Sequence, residues 1–131
     1  MSDISPLWYE LRDAISEGDF GTAEELLKRT PALAQMTNRL GETVLHFLAV
    51  EDDRDGVAWL YAKGSDINTK NKFGTPVLFE VALLGYKNLF AWFVESGADL
   101  RIRDKEDQDL VDYLLEYDKG KMADWVRKYG A

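Results

Sequence analysis

Apolar residues recur along this chain in short bursts at helical spacing, separated by polar runs punctuated with glycine. Leu45, Leu48 and Ala49 fall at i, i+3 and i+4, which predicts a short helix with one apolar face. Gly41 supplies a turn before it and Thr43 an N-cap. The acidic run Glu51-Asp52-Asp53-Arg54-Asp55-Gly56 ends that helix and opens a second, where Val57, Leu60 and Tyr61 repeat the spacing until Gly64 closes it as a left-handed cap. A polar stretch from Ser65 to Lys72 then leads to another turn at Gly74. The next segment reads alike. Thr75 is placed as its cap and Pro76 as the first helical residue, where a missing N–H is tolerated. Val77, Leu78, Val81 and Ala82 form the apolar face, Gly85 separates the pair, and a second helix is predicted over 89–94 before Gly97-Ala98-Asp99-Leu100.

The pattern repeats at a fixed offset. Trp59, Trp92 and Trp125 lie 33 residues apart, as do Gly64, Gly97 and Gly130. Gly41 with Gly74, Leu45 with Leu78, Asp66 with Asp99 and Ala49 with Ala82 share the register. A period of this size means stacked supersecondary units, none of which buries its apolar face alone. The tryptophan column, late in each second helix beside Leu60, Phe93 and Val126, is read as packing between neighbouring units.

The signature elements Thr43-Val44-Leu45-His46-Phe47-Leu48 and Gly97-Ala98-Asp99 resemble those of the ankyrin repeat. The resemblance implies an all-α fold, an ankyrin-type helical repeat solenoid of about four helix-turn-helix units. Residues 1–131 are expected to form one ankyrin-repeat domain, with an N-terminal cap unit at 5–40, repeats at 41–73 and 74–106, and a C-terminal cap unit at 107–131. Several positions depart from the pattern. Val44 stands for the signature proline, Pro76 falls one residue early, and Asp52 stands where the turn between helices normally has glycine. Asp107-Gln108-Asp109 replaces Gly-x-Thr in the last unit, and Pro31-Ala32-Leu33 replaces Gly-Ala-Asp in the first.

Composition narrows the chemistry. The 131 residues carry 16 Lys and Arg against 24 Asp and Glu, a net charge of −8, which argues against nucleic acid as a partner. No cysteine is present, so a disulfide framework, a thiolate metal site and a cysteine nucleophile are excluded. Met1 to Pro6 show no secretory signal and the apolar stretches fall short of the ~18 residues of a membrane span, so a cytoplasmic protein without membrane contact is expected. Glu51-x-Asp53-x-Asp55-Gly56 imitates the start of a calcium loop, but the twelfth position is Ala62 instead of the closing Glu. Gly120-Lys121 lacks the rest of a phosphate loop. His46, the one histidine, has no second His or Cys to join it in a metal site, and the resemblance assigns it a structural role around the turn. No catalytic, cofactor-binding or metal-binding residue is expected, and an enzyme using His46 with nearby carboxylates is the least favoured reading.

A surface for another protein is the leading expectation. Arg39, Lys72 and Lys105 share one register position, and Lys70 and Arg103 another, which predicts a basic stripe along the finger loops. Glu51, Glu80 and Glu116 place carboxylates on the first helices. The resemblance implies target contacts from finger tips and from the groove side of each first helix. The expected partner-binding residues are therefore Leu40, Glu42, Phe47, Glu51, Lys72, Phe73, Glu80, Leu84, Lys105, Tyr113, Glu116 and Tyr117, with Phe47, Phe73, Leu84, Tyr113 and Tyr117 as apolar anchors. A monomer that inhibits a basic toxin or enzyme, as small acidic immunity proteins of bacteria do, is the expected role; a general scaffold or adaptor is the alternative.

Overall fold

The computed structural model describes residues 6–131; the rest of the opening stretch read for a secretory signal, and Ser5 at the head of the expected cap unit, lie outside the described residues. Eight α-helices follow one another as antiparallel pairs: α1 (Pro6–Ser16) with α2 (Phe20–Arg29), α3 (Val44–Val50) with α4 (Arg54–Ala62), α5 (Val77–Leu83) with α6 (Lys87–Glu95), and α7 (Leu110–Glu116) with α8 (Gly120–Arg127). A 3-10 turn at Pro31–Ala34 follows α2. The first helices α1, α3, α5 and α7 pack in chain order, so the fold is a helical repeat solenoid.

Local chemistry sets the helix starts. Thr43 accepts a hydrogen bond from the His46 N–H at 3.2 Å, and Asp109 does the same for the Asp112 N–H at 2.8 Å. The acidic Asp107-Gln108-Asp109 thus does the work of Gly41-Glu42-Thr43, with Asp107 at φ 61° in the turn. Pro76 behaves otherwise than expected. It is the N-cap of α5 in extended conformation, φ −65° and ψ 145°, and the helix begins at Val77. α6 starts at Lys87 instead of 89, because the polar Lys87 and Asn88 form its first turn before the apolar face begins. Asp52 adopts φ 58° in place of the usual glycine between helices, a left-handed conformation that short polar side chains tolerate.

Between the pairs, the fingers share one construction. Asn38, Asn71 and Asp104, again 33 residues apart, each sit at the foot of a turn. The side-chain oxygen accepts from the N–H two residues on (Leu40, Phe73, Glu106) and four residues on (Glu42, Thr75, Gln108), at 2.9 and 3.0, 2.9 and 3.1, then 3.0 and 2.9 Å. Each turn needs a left-handed residue, Gly41 or Gly74 in the first two. Adjacent fingers touch through their backbones, with the Lys72 N–H donating to the Leu40 carbonyl at 2.8 Å.

The core runs unbroken along the stack, from Leu11 and Trp8 through Leu45, Phe79 and Phe93 to Val126. The lattice tryptophans are half-buried at its flank, each against an aromatic of the preceding pair: Trp59 on Phe20 at 5.4 Å between centroids, Trp92 on Tyr61 at 5.6 Å, Trp125 on Phe90 at 5.5 Å. Trp8, off the lattice, is the fully buried tryptophan, and its indole N–H donates to the Glu42 carbonyl at 3.1 Å. Among the described residues no helix is long and apolar enough to cross a membrane.

Candidate functional site

The fingers and the first helices enclose a groove of about 440 Å³. Seven of the twelve expected contact residues line it: Leu40, Glu42, Phe73, Glu80, Tyr113, Glu116 and Tyr117. Register brings them together, since tips at Leu40 and Phe73 repeat every 33 residues while α5 and α7 supply the wall behind. Leu40, Phe73 and Tyr117 are exposed at 46%, 59% and 52%. Large apolar side chains held at a concave surface are what interfaces use as anchors.

The remaining five lie elsewhere. Phe47 is half-buried in an edge-to-face contact with Trp8 at 5.6 Å, under the Arg12 guanidinium at 5.4 Å from its centroid. Glu51 and Leu84 are exposed at the C-caps of α3 and α5, outside the groove wall. Lys72 lies with its ammonium 5.2 Å from the Phe73 ring centroid, and Lys105 is exposed beside Gly74; neither lines the groove.

Two groove residues are less available than the sequence suggests. Glu42 is buried, and its carboxylate accepts from the Asn38 side-chain amide at 3.0 Å. Glu80 is pinned by two donors, the His46 imidazole Nε2 at 2.6 Å and the Asn71 amide at 3.3 Å. An ionised carboxylate only accepts, so Nε2 carries the proton in this contact. His46 is wholly buried, and its Nδ1 has no partner. The imidazole thereby ties α3 to α5. Glu42, His46 and Glu80 also form a group of metal-ligand types, with one atom of each within 4.8 Å of the others. Hydrogen bonds already engage one carboxylate oxygen of Glu42, one of Glu80 and the His46 Nε2, and the bare Nδ1 lacks the outer acceptor that orients a metal-bound imidazole. The residues fit a structural network better than a metal.

Asn71, which lines the groove, is marked in the sequence only by its 33-residue spacing from Asn38 and Asp104. Asp104, Glu106 and Gln108 complete the groove at the third finger. With Glu42, Glu80 and Glu116, five carboxylates face it and no Lys, Arg or His lines it. Glu106 and Glu116 are exposed, and no hydrogen bond or ion pair occupies either carboxylate. The Gln108 side-chain carbonyl oxygen is buried without a donor, a state that costs on the order of 1–3 kcal/mol.

Tyr113 reports the groove's field. Burial raises its phenol well above the ordinary range, and the negative charge of Tyr117, Glu80, Asp104 and Glu116 pushes the same way. The folded state thus favours the protonated phenol, so its contribution to stability is full below about pH 10 and is lost as pH climbs past the unfolded value. In an alkaline titration followed at the phenolate absorbance, Tyr113→Phe is expected to remove the latest part of the rise and nothing before it. Loss of early amplitude instead would contradict the buried placement.

Another hollow, about 550 Å³, opens at the start of α8 beside Lys87, Lys119 and Lys121, and contains none of the expected residues. Comparison with known proteins adds one finding. Residues 40–72 match the family model described as ankyrin repeat. No curated protein matches the chain.

Proposed function

We propose that this chain, which belongs to the ankyrin repeat family, binds a basic protein through the groove between its fingers and first helices, and acts by covering that partner's surface. Ankyrin repeats serve generally in protein–protein interaction, and the fold alone does not choose the partner. The observation that carries the reading is the make-up of the groove: exposed Leu40, Phe73 and Tyr117 beside the unpaired carboxylates Glu106 and Glu116, with no cation lining it. Apolar anchors supply affinity, and an uncompensated negative wall steers a positive partner and rejects acidic ones. Inhibition of a basic toxin or enzyme, in the manner of an immunity protein, is the specific role favoured. Charge at the groove suits blocking a basic active face, and His46, the side chain an enzymatic reading would use, is wholly buried. A scaffold or adaptor is the second reading. On this reading the stack works as a cytoplasmic monomer without cofactor, with residues 5–40 and 107–131 serving as cap units.

Charge reversal tests it. Glu80 is unsuitable, because it holds His46. Glu106→Lys with Glu116→Lys is expected to weaken partner capture from the native cell at least about tenfold, with the melting temperature nearly unchanged. The control is Glu25→Lys with Glu95→Lys, which makes the same charge change on exposed positions of α2 and α6. A partner that ignores the groove pair, or responds equally to the control, removes the groove from the mechanism. Adding the purified chain to the captured partner then separates inhibitor from adaptor by whether the partner's activity falls.

A further inference from the structure

The finger turns carry a row of cations that the groove leaves unused. We propose that Arg39, Lys72 and Lys105, with Lys70 beside them, bind an acidic peptide segment of a protein partner in polyproline II conformation, with a carboxylate on every third residue. None of these side chains lines the groove, so the surface is a second one, whatever fills the first.

The turns place the row. Asn38, Asn71 and Asp104 open three turns of one construction, whose carbonyls accept from the Gly41, Gly74 and Asp107 N–H groups at 3.0 Å. The residue after each opening is Arg39, Lys72 or Lys105, so a cation stands at the same corner of every turn. Neighbouring turns touch. The Lys72 N–H donates to the Leu40 carbonyl at 2.8 Å, and the Cβ directions of Gly41 and Gly74 point onto Lys72 and Lys105. Below the turns, the Asp99 N–H donates to the Asn68 side-chain oxygen at 2.8 Å. The backbone therefore holds the row at the pitch of the stack before any partner arrives, which lowers the cost of binding.

These cations are exposed and bare. Among the described residues, no ion pair or side-chain hydrogen bond engages Arg39, Lys70, Lys72 or Lys105; Lys72 overlies the Phe73 ring at 5.2 Å. Counter-charge is abundant, with 24 Asp and Glu against 16 Lys and Arg. Yet Asp66, Asp99 and Asp104 turn to the backbone, accepting from the Asn68, Arg101 and Glu106 N–H groups at 2.8, 2.9 and 3.0 Å. Arg103, in register with Lys70, is the exception, donating to the Asp107 carbonyl at 2.7 Å. A row of like charges repels itself, and an anionic chain laid along it relieves that repulsion.

Spacing selects the guest. Packed helices lie about 8–10 Å apart, which sets the step from one turn to the next. Polyproline II has three residues per turn at about 3.1 Å each, so every third side chain returns to the same side after about 9 Å. Exposed Phe73, beside Lys72, offers the intervening residues the kind of aromatic face on which proline-rich segments dock. A nucleic acid strand carries a phosphate about every 3.4 Å, and it would set much of that charge against exposed Asp66, Asp99 and Glu106.

The test titrates the full chain, isotope-labelled, by NMR at low ionic strength with acetylated and amidated heptapeptides. Glu-Pro-Pro-Glu-Pro-Pro-Glu is expected to give saturable shifts of the Arg39, Lys72, Phe73 and Lys105 amides. Pro-Pro-Glu-Glu-Glu-Pro-Pro, of the same composition, is expected to bind at least about threefold more weakly, and a thymidine heptanucleotide more weakly than the spaced peptide. Lys72→Gln with Lys105→Gln is expected to weaken the spaced peptide about tenfold at an unchanged melting temperature. Lys119→Gln with Lys121→Gln, the same charge change at exposed positions at the start of α8, is expected to leave it unaffected. No saturable shift at the turns, equal binding of the two peptides, equal losses in the two variants, or tighter binding of the nucleotide would overturn the assignment. The titration needs no groove partner, so its outcome is read apart from that of the groove charge reversal.

Discussion

Trp8→Ala is expected to destabilise the protein by about 4 kcal/mol, roughly twice the effect of Trp92→Ala. Trp8 is wholly buried in α1, whereas Trp92 is half-exposed at the flank of the stack, although only Trp92 belongs to the 33-residue lattice. Truncation at Trp8 leaves a cavity between α1 and α3 and strips Phe47 of its edge-to-face neighbour. It also removes the indole donor from the Glu42 carbonyl, so a buried acceptor loses its partner in the same step. Because a domain of this size has only some 5–15 kcal/mol in hand, the variant would keep a small margin. Urea unfolding of both variants checks the order. A Trp8 variant that unfolds at the same denaturant concentration as Trp92→Ala would show that the α1–α3 seam is not closed as described.

The second large effect is expected at Gly41→Ala. This residue turns the first finger at φ 75°, a conformation costing an L-residue about 1–2 kcal/mol. A Cβ there would also overlap the Lys72 backbone nitrogen of the next finger, the same group that donates to the Leu40 carbonyl. The obstacle is backbone, so it cannot swing aside, and the total is expected near 3 kcal/mol. Gly64→Ala isolates the two contributions. Gly64 has φ 101° but open space around its Cβ direction, so only the conformational cost applies and the loss should stay near 1–2 kcal/mol. Thermal melts of the two variants that coincide would mean the fingers separate freely, and the stacked-finger account would fail.

Much of this architecture was legible because a solenoid writes its geometry into the spacing of its residues. Thr43 as a cap, the two faces built on Leu45 and Val57, and the left-handed end at Gly64 follow from local chemistry that needs no knowledge of neighbours. Contacts between units were harder to read. Glu80 looks like a free groove carboxylate until His46, 34 residues earlier, is seen to hold it. Tyr113 looks like an exposed anchor, but it lies 5.1 Å from Phe79 and is buried between α5 and α7. Phe47 leaves the groove because Trp8 and Arg12 cover it, and both belong to an opening helix pair whose register departs from the lattice. Pro76 shows a local limit. Its fixed φ suits the cap as well as the first turn, so composition could not separate adjacent positions. The groove's outline was thus readable from register, while the satisfied or bare state of each polar atom required coordinates.

Asn38, Asn71 and Asp104 fasten their turns identically, yet the last differs from the others by an NH2 exchanged for an oxygen. That exchange breaks translational symmetry along the stack and gives it an electrical compass. Toward α3, acids are quenched by amides; toward α7, they stand bare. On the proposed reading, a chain laid across the fingers would have a preferred heading, with its greasy portion over Leu40 and Phe73 and its cationic portion over Glu106, and running it backwards would forfeit both matches at once.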